Sequence, residues 1–163
     1  MKTKRRYWDA CTFLGWLSGE SDKVDKCKGA VKLAEDGDII IVTSALTLTE
    51  VVWVKGQKKL TEDTEDTIKR FFEQDFIAVR TVDRVIAEHA RQLVWKYNVK
   101  PKDSIHVATA LQLGITIMDT FDDGLAKLSG KLGKPKLKIG PPDISFQEVL
   151  KLGKQTQRKD KEA

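Results

Sequence analysis

Short β-prone runs alternate with longer helical patterns along this chain, and that alternation limits the fold most. The runs are Arg5–Trp8, Ile39–Thr43, Phe76–Arg80 and Ile115–Met118, with helical periodicity between them. Strands separated by helical crossovers imply a mostly parallel sheet covered on both faces. A weaker apolar run, Leu137–Ile139, predicts an edge strand. Gly140-Pro141-Pro142 then breaks the chain, and Phe146–Leu152 predicts a last short helix. The expected class is α/β: a three-layer α/β/α sandwich around a mostly parallel sheet.

The helices read as follows. Val24–Glu35 has apolar residues at 24, 27, 30, 31, 33 and 34. Leu46–Val54 is strongly apolar and leads into Lys55-Gly56, a plausible helix end. The segment from Thr61 to about Glu73 opens with three acids, as the helix dipole favours. Val82–Tyr97 places Val82, Val85, Ile86, Ala90, Leu93, Val94 and Tyr97 on one face. The stretch KPKDSIHVATALQLG predicts a helix over Pro101–Leu113 that is apolar nearly all round after Ser104, so it should be buried.

The 163 residues suffice for one domain with a sizeable core. We expect that domain over 1–152, followed by a basic, disordered tail over 153–163. Residues 151–163 hold five basic residues against two acidic ones, which accounts for much of the +5 net charge. Such a balance suits a polyanionic partner, and equally a solvated terminus. Cys11 and Cys27 form no CxxC or Cys/His pattern, which argues against zinc or a disulfide framework. No apolar run approaches the roughly 20 residues of a membrane span. A cytoplasmic protein in a reducing compartment, without a membrane partner, is expected.

In an open parallel sheet, ligands bind at the carboxyl ends of the strands. Four separated segments deliver acids toward that edge: Asp9 after the first strand, Glu50 on the helix after the second, Asp103 at the head of the buried helix, and Asp119, Asp122 and Asp123 after GITIM. Each has a plain structural explanation. Asp9 suits an N-cap, Glu50 a salt bridge or a narrow polar stripe, Asp103 a first-turn dipole partner, and the last group a turn. Together they suggest more. Gathered carboxylates repel one another, and a hard divalent cation with water-rich coordination, Mg²⁺ or Mn²⁺, relieves that repulsion. Such a site can activate water and stabilise the leaving oxygen of a phosphodiester.

The stretches YWDACTFLGWL, TSALTLTEVVWV, KPKDSIHVATALQLG and IMDTFDDGLAKL, in this order, resemble the PIN domain family over roughly residues 4–130. The resemblance implies an α/β/α metal-dependent nuclease. Many bacterial and archaeal members are VapC-type toxins that cleave RNA and are held by an antitoxin. It implies Asp9, Glu50, Asp103 and Asp122 as catalytic and metal-holding residues. Asp122 fits the fourth position because Thr120-Phe121-Asp122 looks like the family's Thr-x-Asp; Asp119 and Asp123 compete for it. Thr120 and Ser44 would support the site. Family habit further implies an RNA substrate, an antitoxin and a homodimer. One departure is Cys11, where the family often has a small hydroxyl or amide residue.

Other readings stay open. Asp9-Ala10-Cys11 opens like the Asp-x-Asp-x-Thr of a phosphatase class but lacks its second Asp. A non-catalytic PIN-fold module that binds RNA or protein is the alternative outside catalysis. His106 reads as a packing or hydrogen-bonded residue and His89 as a surface one. Trp8, Trp16, Trp53 and Trp95 read as core or dimer surface. Arg5, Arg6, Lys55, Lys58, Lys59 and Arg84 are candidates for an RNA path.

Overall fold

The computed structural model describes residues 3–52 and 61–153. Five strands form one all-parallel sheet: β1 (Lys4–Trp8), β2 (Ile39–Ser44), β3 (Ile77–Arg80), β4 (Ile117–Asp119) and β5 (Lys138–Gly140). Their order is β3-β2-β1-β4-β5. The helices are α1 (Ala10–Leu17), α2 (Ser21–Glu35), α3 (Thr47–Glu50), α4 (Glu62–Phe72), α5 (Arg84–Tyr97), α6 (Pro101–Gln112) and α7 (Asp123–Ala126). Residues 146–153 are also helical.

Strand alternation divides the core into two layers. Tyr7 and Val42 face one side, where α5, α6 and α7 contribute Ile86, Ala90, Leu93, Val107, Ala108 and Leu125. Trp8 and Ile41 face the other, with Phe13 of α1, Ala30, Val31 and Ala34 of α2, and Ile68, Phe71 and Phe72 of α4 packed against them. Trp8 meets Phe13 edge-on with ring centroids 5.2 Å apart. Buried on both faces, β2 reads as a nearly continuous apolar run.

Local chemistry sets the element ends. Asp9, Thr61 and Asp83 cap α1, α4 and α5, each accepting a backbone N–H with its side chain. Pro101 occupies the first turn of α6. At the other end Gly114, at φ +64°, closes a Schellman turn: its N–H donates to Leu111 O at 3.0 Å and that of Ile115 to Ala110 O at 3.0 Å. That turn uses Ile115, so β4 begins two residues later than the sequence suggests.

Two further expectations change. The apolar helix expected over Leu46–Val54 is a single turn, because Val51 leaves helical geometry at φ −91°, ψ 65°. The expected helix end at Lys55-Gly56 lies outside the described residues, as does the tail from 154 onward. Val85 and Trp95, placed on apolar faces by periodicity, are exposed; Trp95 is 74% accessible and carries Arg91 over its ring. Among the described residues no helix is long and apolar enough to cross a membrane.

Beyond β5 the chain crosses α2. Gly29 makes room for it, since a Cβ there would lie 2.0 Å from the Ile144 carbonyl oxygen. Asp143 ties the same segment to Arg6 at 2.8 Å and to Lys138 at 2.9 Å.

Candidate active site

The strand order reverses between β1 and β4, since β2 and β3 extend to one side of β1 and β4 and β5 to the other. Clefts in open α/β sheets form at such a switch point, beyond the carboxyl ends of the strands. Asp9 follows β1 there and Thr120–Asp122 follows β4. α3 and the head of α6 close the cleft from above. One pocket is lined by Asp9, Glu50, Asp103 and Asp122, together with Cys11 and Lys102.

Asp9 is 4% exposed, and its carboxylate accepts from four donors. Oδ1 takes the Thr12 N–H at 3.1 Å, the Thr12 hydroxyl at 2.9 Å and the Cys11 thiol at 3.1 Å. Oδ2 takes only the Thr120 hydroxyl, at 2.5 Å. Asp9 is therefore both the expected N-cap and a member of the cluster. Oδ1 is crowded with donors, and Oδ2 is the oxygen with a lone pair to offer.

Cys11 stands in for the usual hydroxyl or amide by donating to Asp9. Burial and the Asp9 charge push its thiol up to about 12, so it keeps the proton it donates. A phosphatase of the Asp-x-Asp class would need a carboxylic acid at this position.

Thr120 accepts the Asp122 N–H at 3.0 Å while donating to Asp9, so one hydroxyl joins the segments after β1 and β4. Asp122 caps α7 through Oδ1, which accepts the Leu125 N–H at 3.0 Å. Glu50 engages His106 through Oε2 at 2.7 Å. Among the described residues Glu50 and Asp122 thus anchor one oxygen in the protein and leave the other without a protein donor, while Asp9 Oδ2 keeps a lone pair beside the Thr120 hydroxyl. Asp103 is half-buried, and its carboxyl is raised by burial and then by the charges of Asp122 and Asp9. Those two acids are near enough to disfavour the ionised form of Asp103.

Among the described residues, no three His, Cys, Asp or Glu side chains are drawn together tightly enough to ligate an ion directly. An all-oxygen set in which Asp9 Oδ2, Glu50 and Asp122 each retain a lone pair suits a hard, hydrated cation. Mg²⁺ typically keeps several waters and takes only one or two carboxylates.

The remaining candidates fall elsewhere. Asp119 is fully buried beneath the pocket, bound by Arg6 at 2.8 and 2.6 Å and by the Trp8 indole N–H at 2.9 Å. Asp123 opens α7 on the exposed surface. Of the three competitors, Asp122 is the one lining the pocket. Ser44 is buried and accepts the Leu46 N–H at 3.0 Å, shaping the turn out of β2. Arg6 leaves the expected RNA path because its guanidinium is inside, paired with Asp119. Arg5 donates to Leu113 O at 2.7 Å, and Arg84 pairs with Glu88. Lys55, Lys58, Lys59 and Trp53 lie outside the described residues.

Sequence reasoning missed two contributors. Thr12 lies within reach of both Asp9 and the Asp119 carbonyl, at 2.9 and 2.8 Å. Its place three residues after an N-cap acid was the available signal. His106 reads in sequence as a packing or hydrogen-bonded residue, and no sequence signal ties it to Glu50, 56 residues away.

A parallel sandwich with acids from four segments at its switch point defines a class of carboxylate-site α/β proteins. Within that class the PIN domain profile matches residues 6–131, and the chain belongs to the PIN domain family. Its fold is similar to that of VapC20 from Mycobacterium tuberculosis, a toxin that cleaves the sarcin-ricin loop. That match has a TM-score of 0.60 at 15% identity and covers 75% of this chain and 94% of the other. A toxin–antitoxin complex from Klebsiella pneumoniae matches with a TM-score of 0.55 at 22% identity, covering 72% and 88%. DNA-bound VapBC from Salmonella typhimurium matches at 0.59 and 15%, covering 84% and 97%. No curated protein sequence matches significantly.

Proposed function

We propose that this protein is a metal-dependent endoribonuclease, the toxin of a toxin–antitoxin pair. The observation that carries the reading is that Asp9, Glu50, Asp103 and Asp122, drawn from four separated segments, line one pocket. Family membership supports nuclease chemistry, and neighbours described as toxins or toxin–antitoxin complexes support an antitoxin partner. A cytoplasmic setting and a homodimer belong to the same reading.

Asp9, Glu50, Asp103 and Asp122 would hold Mg²⁺ or Mn²⁺, directly or through water. A bound divalent ion would supply Lewis acidity toward the phosphodiester and acidify water. The chain's own part is positioning. Thr120 and Thr12 fix the Asp9 carboxylate, and Asp122 is held by its cap. Lys102 brings positive charge to the same pocket. An adjoining depression starts from Asp103 and Asp122 and runs past Lys100 and Asn98, giving a polymeric anion a path away from the acids.

The test incubates purified protein with unstructured and structured RNA in Mg²⁺, Mn²⁺ or chelator, beside Asp9→Asn. Metal-dependent cleavage that Asp9→Asn abolishes, at unchanged melting temperature, supports the reading. RNA binding without cleavage, and no stabilisation by Mn²⁺, would instead identify a non-catalytic binding module.

A further inference from the structure

A buried chain of hydrogen bonds runs from β1 to the cleft. The Tyr7 hydroxyl lies 2.7 Å from His106 Nδ1, and His106 Nε2 lies 2.7 Å from Glu50 Oε2. Tyr7 is fully buried and His106 is 1% exposed. Their rings meet edge-on with centroids 5.8 Å apart. The three residues come from β1, α6 and α3, so the chain joins the sheet, the buried helix and the short helix that presents an acid.

We propose that His106 is a positioning residue, held by Tyr7, that fixes Glu50 for a divalent cation. The proposal rests on the metal-site reading above. Its first ground is the weakness of α3. One helical turn cannot hold its own shape, because helix formation needs a longer run to repay nucleation. The chain leaves helical geometry at Val51, directly after Glu50. A glutamate there carries a long, rotatable side chain at the very end of the turn, so an outside tether has to set its direction.

The second ground is donor and acceptor logic. A carboxylate only accepts, so Nε2 carries a proton and donates to Glu50. In a neutral imidazole Nδ1 is then an acceptor, and the Tyr7 O–H is the donor that meets it. Tyr7 thus selects the tautomer and ring orientation in which His106 faces Glu50. Glu50 Oε1 remains for a cation or its water. Hydrogen-bonded partners behind metal-binding groups work in this way, and losing one typically weakens metal affinity or activity about 10–100-fold.

The test is calorimetric titration of the full chain with Mn²⁺ alone, on wild type, His106→Leu, His106→Gln, Tyr7→Phe and Glu50→Gln, each with a melt in chelator. Glu50→Gln weakens Mn²⁺ binding if the metal-site reading holds. His106→Leu then weakens it about 10-fold. His106→Gln, whose amide can donate from near the Nε2 position, recovers most of that loss. Tyr7→Phe falls between the two. A packing role would move the melting temperature and leave the Mn²⁺ affinity of the folded protein alone. Wild-type affinity in His106→Leu beside a weakened Glu50→Gln overturns the positioning role and spares the site. Wild-type affinity in Glu50→Gln overturns both. Should His106→Leu fail to fold, unchanged affinity in Tyr7→Phe and His106→Gln overturns the role in its place.

Discussion

Thr120 donates its hydroxyl to Asp9 Oδ2 across 2.5 Å, joining residues 111 positions apart. The same oxygen accepts the Asp122 N–H, so it sets the spacing of two acids. Thr120→Val keeps the shape and removes both bonds. We expect Mn²⁺ affinity or RNA cleavage to fall about 10–100-fold. Stability should drop by roughly 1–3 kcal/mol through unpaired buried groups. Thr120→Ser should restore both. Titration and urea unfolding measure the two effects, and undiminished cleavage in Thr120→Val would show the link to be idle.

Arg6 and Asp119 form a buried pair beneath the cleft. Removing one partner of such a pair leaves an uncompensated charge and costs about 3–5 kcal/mol. Arg6→Met should destabilise by that order in urea unfolding. The protein that remains folded should still gain thermal stability from Mn²⁺, because Asp119 does not line the pocket. A selective loss of the Mn²⁺ response would place Asp119 in the site after all.

Asp103 has a raised carboxyl, so the folded state disfavours its ionised form. At neutral pH that is a cost to folding, and it disappears when the charge does. Asp103→Asn should therefore melt above wild type in chelator and below it in saturating Mn²⁺, where wild type alone has the full set of acids. Paired thermal melts decide it; a variant less stable than wild type in chelator contradicts the electrostatic account.

Asp143 behaves in the opposite sense. Burial pushes its carboxyl upward, but Lys138 and Arg6 outweigh that and hold it down at about 2, below the ordinary 3.8. A depressed carboxylate stabilises fully above its unfolded value and loses that contribution as pH falls through the folded one. Wild type should lose more stability than Asp143→Asn between about pH 4 and pH 2. Because Asp143 is partly exposed, added salt should shrink the difference. Urea midpoints across that range provide the measurement.

Gly29 sits inside α2, where alanine would normally favour the helix by about 1 kcal/mol. Here a methyl would collide with the Ile144 carbonyl oxygen, and overpacking of this kind costs about 1–3 kcal/mol. Gly29→Ala should therefore destabilise, and limited proteolysis should cut sooner after residue 140. A more stable variant would mean that the crossing segment yields without cost.

Much of the fold was legible because the signals were local. Apolar periodicity marked α2, α5 and α6, and the β-branched run of β2 marked a strand inside the sheet. Asp9, Glu50, Asp103 and the group Asp119, Asp122 and Asp123 could be gathered because parallel topology sends every strand's carboxyl end to one edge; the choice of Asp122 within that group came from the family resemblance. What stayed hidden depended on distant partners. Nothing near Asp119 announces Arg6, 113 residues away, so a buried ion pair and a spare ligand look alike in sequence. The end of α3 at Val51 was equally hidden, since an apolar run fits a helix or a buried turn.

The hydrogen bond from the Thr120 N–H to Gly140 O, 2.9 Å long, sets a limit on how the molecule can be divided. The matched family region stops at residue 131, and a fragment excised there would carry every acid of the cleft. It would lack β5, the rail on which Thr120 rests, and Asp143, which braces Arg6. A fragment meant to keep both contacts therefore has to reach beyond residue 143, past the point where the recognisable signature ends.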